Sequence, residues 1–254
     1  MDESEALIRL CGRALVAQMG DVPGVELHLS HNSVLGLTGE PLADFNMLTL
    51  GPDLDAEDFF VRSIARARAR GLPLLATLSP QVAPAIAPVA TALGLTYVGM
   101  APLMVLRADT PLLRSPSTKV SRALGTQLVG IAGDLAAAAF DAPRDAIARC
   151  IDVGLTATSG VETYIAWDGD QPMSAVSVTP IGNTAGISLM ATWPAQQRKG
   201  HGRSLLTQVM QDFRGRGVQR FYLSATEAGR PLYASLGFEV VADLSAWILS
   251  GRTP

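Results

Sequence analysis

The segment from Gln197 to Arg203 is rich in glycine and cations, which are the residue types that hold a phosphate group. Gly200 and Gly202 stand one residue apart in it, and the sequence that follows has the apolar spacing of an amphipathic helix. The first turn of a helix presents N–H groups that have no intrahelical acceptor, and the helix dipole is positive there. Glycines let the backbone turn tightly and approach an anion closely. The segment therefore predicts a phosphate-binding loop that leads into a helix.

Two common phosphate motifs do not fit this loop. A Walker loop requires Gly-Lys followed by Ser or Thr, whereas Lys199 precedes Gly200. A dinucleotide fingerprint requires a third glycine where Leu205 stands, and an acidic residue on the following strand to hold the ribose. Neither feature is present. The pyrophosphate of an acyl-coenzyme A remains as the third candidate ligand.

The elements that must position the loop follow from apolar periodicity. Strands are predicted over "ETYIAWD", "SAVSVTPI" and "GISLMAT", and the last of these leads into the loop. The helix after the loop has one apolar face, formed by Leu205, Leu206, Val209, Met210 and Phe213. "RFYLSAT" predicts the next strand, "GRPLYASLG" a short helix and "FEVVADLSAWIL" the closing strands. The second half of the chain is thus predicted to alternate strands and helices around the loop.

The first half repeats this order. A helix over "EALIRLCGRALVAQM" is followed by three strands, a helix from Asp55 to Gly71, a strand, a short helix and further strands. "LGLTYVGMAPLMVL" also aligns with "LGFEVVADLSAWIL" near the end of the chain, which indicates an internal duplication. A segment rich in proline and serine separates the halves. We therefore predict domains at residues 1–110 and 120–254 with a linker at 111–119.

The second half resembles the GNAT acetyltransferase family. "QRKGHG" matches that family's Gln/Arg-x-x-Gly-x-Gly/Ala loop, "LMATWPAQQRKGHG" resembles its strand and proline before the loop, and "GRPLYASLGFEVV" resembles its closing segment. The resemblance covers Leu124 to Leu249, and the first half fits as a degenerate copy, as in the family's tandem members. It implies an α/β (α+β) fold of two GNAT-like mixed-sheet domains in tandem, with helices packed on both sides of each sheet.

The resemblance also implies a set of site residues. Acetyl-CoA is the expected cosubstrate, and Tyr233 stands at the position of the family's tyrosine, which protonates the leaving thiolate. Thr226 stands where the family often has asparagine, and this is a departure from the family's pattern. Threonine still carries a polar group for a contact to the coenzyme. The cofactor-binding residues implied by the match are Met190, Ala191, Thr192, Gln197, Arg198, Lys199, Gly200, His201, Gly202, Arg203 and Thr226.

Only the second half is expected to hold an active site. The duplication places Ala90 where the tyrosine should be, and the acidic segment "GPDLDAEDF" where the glycine loop should be, so a pyrophosphate would be repelled there. The general base that takes the amine proton is left open in the sequence, with Glu162, Asp168 and His201 as candidates.

Composition limits the partners. The net charge of −3 is spread without long blocks, which gives no reason to expect nucleic acid or an anionic membrane as a ligand. No Cys and His set has metal-ligand spacing, so no metal is predicted. We expect a cytoplasmic protein, a monomer or homodimer, that acetylates a small-molecule amine by direct attack in a ternary complex. The alternatives are a non-catalytic acyl-CoA-binding or sensing module and a scaffold without a ligand.

Overall fold

The computed structural model describes residues 2–19, 22–112, 118–152 and 160–251. The helices in these ranges are α1 (Glu3–Met19), α2 (Ala56–Ala69), α3 (Ala83–Ala92), α4 (Gly125–Phe140), α5 (Arg144–Asp152), α6 (His201–Gly215) and α7 (Arg230–Ala234). The strands are β1 (Glu26–Leu29), β2 (Val34–Leu37), β3 (Asn46–Leu50), β4 (Leu74–Leu78), β5 (Thr96–Leu106), β6 (Lys119–Arg122), β7 (Glu162–Asp168), β8 (Gln171–Ile181), β9 (Thr184–Thr192), β10 (Arg220–Ser224) and β11 (Glu239–Leu249).

The chain divides into two compact units that interleave in sequence. The first unit contains Met1–Met104, Ser224–Arg230 and Val240–Pro254, and the second contains Val105–Leu223 and Pro231–Glu239. The last strand of the chain thus belongs mainly to the first unit. The predicted functional boundaries, 1–110 and 120–254, stay a prediction. Residues 113–117 of the predicted linker lie outside the described residues, and β6 begins at Lys119.

The first unit is built on a mixed sheet with the strand order β1-β2-β3-β4-β11-β5. Strands β1, β2 and β3 are antiparallel, β3 and β4 are parallel, and β4 pairs with β11 in the antiparallel direction. Phe60 and Ile64 of α2 and Ile86 of α3 pack against the buried leucines of the central strands. Ala90 is fully buried in this same core.

The second unit is built on a mixed sheet with the strand order β10-β9-β8-β7-β6. Strands β6 to β9 form antiparallel pairs, and β9 is parallel to β10. Helices α4 and α6 both pack on β7, β8 and β9. The predicted apolar face of α6 is buried, because its five large side chains recur at helical spacing. Thr207 of the same helix is also buried.

Both halves of the chain follow the same element order, which agrees with the predicted duplication. An antiparallel strand pair leads to β3, α2, β4, α3 and β5 in one unit, and to β9, α6, β10, α7 and β11 in the chain's second half. In each case a helix connects two adjacent parallel strands. The mixed α/β fold is therefore confirmed. In the described ranges, none of the helices has the length and apolar character needed to cross a membrane.

Candidate functional site

The loop between β9 and α6 has the backbone geometry of an anion site. Arg198 and Gly200 have φ angles of 63° and 90°, and the first intrahelical bond of α6 runs from the Ser204 N–H to the Gly200 carbonyl at 2.9 Å. The N–H groups that precede Ser204 therefore have no acceptor inside the helix. Alternation of left-handed and other residues also turns successive N–H groups toward one point. This loop is a concave set of donors at the positive end of a helix.

The side chains of the loop are exposed or partly exposed. The Lys199 ammonium donates to the Gln196 side-chain oxygen at 3.0 Å, and the Gln197 amide donates to the Thr192 carbonyl at 3.4 Å. Arg198 is exposed and His201 is partly exposed. The loop thus has exposed positive charge beside its backbone donors, which suits a polyanion.

Strands β9 and β10 separate next to this loop. Only three residue pairs join them, from Thr184 opposite Arg220 to Gly186 opposite Tyr222. In the described part of the chain, no further pair joins the two strands, although β9 continues to Thr192. Residues 187–192 therefore form one wall of a cleft that opens toward the N-terminus of α6.

A bulge in β9 lies in this wall. Leu189 has a φ of 49°, and the pairing of β8 with β9 shifts between Ala175 and Ser177. A bulge leaves one residue unpaired and re-aims its neighbours, and a left-handed leucine is strained because its side chain crowds the backbone. Leu189 and Met190 are partly exposed. The bulge thus lies in the part of β9 that has no partner in β10.

Helix α7 packs against the start of α6. A Cβ on Gly202 would lie 2.9 Å from the Met190 Cε and 3.7 Å from the Leu232 Cδ2, and the Arg203 guanidinium donates to the Ser235 carbonyl at 3.3 Å. The structure therefore brings the predicted loop, the predicted strand and the helix that carries Tyr233 together within the second unit.

Comparison with known proteins identifies this region. Residues 159–240 match the family model described as "Acetyltransferase (GNAT) domain". The chain carries a GNAT acetyltransferase domain. No protein among those with curated functions matches the sequence.

Solved structures share the fold over nearly the whole chain. A GCN5-related N-acetyltransferase from Kribbella flavida has a TM-score of 0.71 at 17% identity, covering 99% of this chain and 97% of its own. A GCN5-related N-acetyltransferase from Sphaerobacter thermophilus has a TM-score of 0.61 at 13% identity, covering 99% and 94%. A tandem GNAT protein from the clavulanic acid biosynthesis pathway has a TM-score of 0.60 at 15% identity, covering 95% and 89%. The chain thus has the fold of tandem GNAT proteins.

Tyr233 of the GNAT domain is a buried phenol. It is 9% exposed, its ring meets Phe238 edge-on with centroids 5.8 Å apart, and burial raises its pKa to about 12. The hydroxyl has no hydrogen-bond partner among the described residues. Tyr233 therefore keeps its proton at neutral pH, and its role as a proton donor stays a prediction.

Glu162 of the GNAT domain does not have the environment of a general base. Arg216 pairs with both of its oxygens, Arg122 lies 3.3 Å from Oε2, and the Tyr164 hydroxyl donates to Oε2 at 2.7 Å. Burial raises the pKa of this carboxyl, but the hydrogen bonds from Arg216 and Tyr164 and the charge of Arg122 lower it further, so the net shift is downward. The carboxylate is a structural acceptor that connects β6, β7 and the end of α6.

The remaining candidates stay open. Asp168 is exposed at the turn between β7 and β8. The Thr226 hydroxyl accepts from the Gly229 N–H at 3.1 Å, and its carbonyl accepts from the Arg230 N–H at 2.9 Å, so Thr226 stabilises the turn before α7. Its contact to a coenzyme stays a prediction. Within the ranges described, no group of three His, Cys, Asp or Glu side chains is placed to hold a metal ion.

A cavity of about 390 Å³ adjoins the loop, between residues 171–173 of β8 and residues 193–196. Gln196 belongs to its wall and also accepts from Lys199, so the cavity is continuous with the loop. The Trp193 indole N–H has no acceptor in the described ranges. Trp193 is therefore an aromatic residue that lines this cavity beside the loop.

The first unit has a different structure at the corresponding position. After β3, the Asp53 carboxylate accepts from the Asn32 N–H at 3.0 and 3.1 Å and from the Ser33 hydroxyl at 3.0 Å. The loop after β3 thus carries a carboxylate that binds the turn between β1 and β2, and a second acidic residue, Asp55, follows it. A second carboxylate or phosphate would be repelled.

Proposed function

We propose that this protein is an N-acetyltransferase that transfers an acetyl group from acetyl-CoA to a small amine in a ternary complex. The observation that supports this proposal most is the position of the donor-rich start of α6 at the open end of the cleft between β9 and β10. That arrangement pairs an anion site with a channel for a long, thin arm, which is the shape of an acyl-coenzyme A.

The loop from Gln197 to Arg203 holds the pyrophosphate in this proposal. The N–H groups before Ser204 supply fixed donors, and Arg198 and Lys199 supply charge. The pantetheine arm then lies along residues 187–192, where it hydrogen-bonds the backbone of Met190 and Thr192.

The acetyl transfer follows from the groups at the cleft. The amine nitrogen attacks the thioester carbonyl carbon, and the bulged backbone near Met190 directs an N–H at the oxyanion that forms. Collapse of the tetrahedral intermediate breaks the C–S bond, and the thiolate takes the phenolic proton of Tyr233. The amine loses its proton to water in this scheme, since Glu162 is held by two arginines.

A small amine is proposed as the acceptor because the charge of the chain provides no broad cationic surface for a polyanionic polymer. The direct attack in a ternary complex is proposed because the cleft offers no described cysteine as an intermediate acyl carrier: Cys11 lies in the first unit.

Calorimetric titration with acetyl-CoA tests the binding step. Wild type should bind one acetyl-CoA, and Arg198→Glu with Lys199→Glu should weaken binding at least about tenfold, because two negative charges would face the pyrophosphate. Arg13→Glu with Lys119→Glu is the matched control, since it makes the same charge change at exposed positions of other elements, α1 and β6. If wild type does not bind acetyl-CoA, the proposal fails.

Thiol release separates an enzyme from an acyl-CoA-binding or sensing module. The enzyme should release coenzyme A thiol in the presence of a panel of small amines, and Tyr233→Phe should slow that release while it retains coenzyme affinity. A sensing module would bind acetyl-CoA equally well in both forms and release no thiol with any amine.

A further inference from the structure

Ser188 directly precedes the bulge in β9. It pairs with Ser177 of β8, and the Ser177 hydroxyl lies 2.9 Å from the Thr163 hydroxyl of β7. Ser177 and Thr163 are each 2% exposed, whereas Ser188 is partly exposed. This row of three hydroxyl side chains therefore starts in the buried interior of the sheet and ends at a partly exposed residue in the cleft wall.

The hydroxyl row lies on the face of the sheet that points away from α6. Tyr164, the neighbour of Thr163 in β7, packs edge-on against Phe213 of α6 with ring centroids 5.9 Å apart. Side chains alternate between the two faces along a strand, so Thr163 and the residues opposite it point the other way. Met190, by contrast, contacts the α6 side, because a Cβ on Gly202 would lie 2.9 Å from its Cε.

The two faces differ in what can reach them in the proposed function. The pyrophosphate lies at the start of α6 and the thioester lies at the bulge near Met190, so the amine must approach the carbonyl carbon from the face that the coenzyme leaves free. Ser188 lies two residues before Met190, which is about 6–7 Å at roughly 3.3 Å per residue. That span has room for an attacking nitrogen about 3 Å from the thioester carbon and for a hydrogen bond of about 3 Å to the hydroxyl.

We propose that the Ser188 hydroxyl accepts a hydrogen bond from an N–H of the acceptor amine and so positions the amine for attack. The inference rests on the proposed function, and it assigns a residue to the acceptor side of the same cleft. A neutral amine keeps its N–H groups while its lone pair attacks the thioester carbon, so the hydrogen bond persists through this step. A serine oxygen has two lone pairs, so it can accept this bond in addition to a bond within the protein.

Two variants of nearly equal shape test this inference. Ser188→Thr keeps the hydroxyl, and Ser188→Val replaces it with a methyl group. With acetyl-CoA as donor and benzylamine, putrescine or ethanolamine as acceptor, kcat/KM for the amine should be about 3-fold to 10-fold lower in Ser188→Val than in Ser188→Thr, which is the effect of one lost hydrogen bond. Calorimetry should give equal acetyl-CoA affinities for both variants, because the hydroxyl is on the face away from α6.

The matched control removes the neighbouring hydroxyl of the same row. Ser177 is buried and bonded to Thr163, so Ser177→Ala should lower the urea midpoint of unfolding without lowering kcat/KM for the amine. Urea unfolding also shows whether each Ser188 variant folds. If Ser188→Val does not fold, Ser188→Ala is compared with wild type, and the same fall in kcat/KM is expected.

The possible failures are distinct. If wild type acetylates an amine but Ser188→Thr and Ser188→Val have equal kcat/KM, Ser188 does not position the amine and only this inference is overturned. An equal fall in Ser177→Ala, or a matching loss of acetyl-CoA affinity in Ser188→Val, would also overturn it. If wild type does not bind acetyl-CoA, or releases no thiol with any of the three amines, the proposed function itself fails and this inference fails with it.

Discussion

Gly202 at the start of α6 packs directly against the methyl group of Met190: a Cβ on this glycine would lie 2.9 Å from the Met190 Cε. The glycine thus lets the helix and the bulged strand pack closely. Gly202→Val should destabilise the fold by about 1–3 kcal/mol, because extra methyl groups overpack this contact. Urea unfolding would measure the change.

Gly215 provides the control for this prediction. It lies in the same helix, and a Cβ there would meet open space, so Gly215→Val should change stability by no more than about 0.5 kcal/mol. Equal unfolding midpoints for Gly202→Val and Gly215→Val would contradict the packing role of Gly202. The result also matters for binding studies, since a bulky residue 202 displaces protein atoms before it reaches any ligand.

Tyr233→Phe should lower the rate of thiol release about 100-fold or more without a comparable loss of coenzyme affinity. The reason is that the phenol supplies a proton only after the C–S bond begins to break. Its pKa is raised to about 12 by burial, so the protonated form persists throughout the neutral and mildly alkaline range. The kcat of wild type should therefore show no loss assignable to Tyr233 between pH 7 and about 10, where an ordinary tyrosine titrates. An alkaline decline near pH 9 that disappears in Tyr233→Phe would contradict this assignment.

Glu162→Gln should lower the free energy of unfolding by about 1–3 kcal/mol at pH 7, since it removes charged hydrogen bonds at a buried carboxylate. The pKa of Glu162 is lowered in the folded state. Its contribution to stability is thus fully present above its unfolded pKa of about 4.3 and is lost as the pH falls through the folded pKa. The difference between wild type and Glu162→Gln should therefore shrink in acid.

Asp212→Asn is the control for Glu162→Gln. Asp212 also pairs with Arg216, at 3.5 Å, but its side chain is 56% exposed, so its loss should cost less than about 0.5 kcal/mol. A Glu162→Gln protein as stable as Asp212→Asn in urea at pH 7 would show that the buried carboxylate does not stabilise the fold.

Much of the fold follows from sequence because local patterns specify it. The apolar face of α6, the strands before the loop and the turn at Gly200 are all encoded in residues close to one another. The pairing of β11 with β4 is different. It joins residues more than 150 positions apart, and the composition of β11 does not indicate which strand it pairs with. The interleaving of the two units therefore came only from the structure.

The candidate site also has features that local sequence patterns do not predict. The phosphate loop was predicted from its glycines and cations, but the left-handed Leu189 was not, because a leucine gives no sign of positive φ. Glu162 was a candidate base because sequence cannot show that Arg122 and Arg216 meet it.

Acetyl-CoA should bind with a stoichiometry of one, although the chain contains two units of the same fold. The loop after β3 carries the carboxylate of Asp53, which accepts the backbone N–H of Asn32, so this loop would repel a pyrophosphate. The loop after β9 offers donors and cations in the same place. Calorimetry should therefore give one site for wild type, and Arg198→Glu with Lys199→Glu should remove it rather than leave a second site of intact affinity. A stoichiometry of two would mean that the first unit also holds the coenzyme, and full binding by that double variant would mean that the loop after β9 does not hold the pyrophosphate.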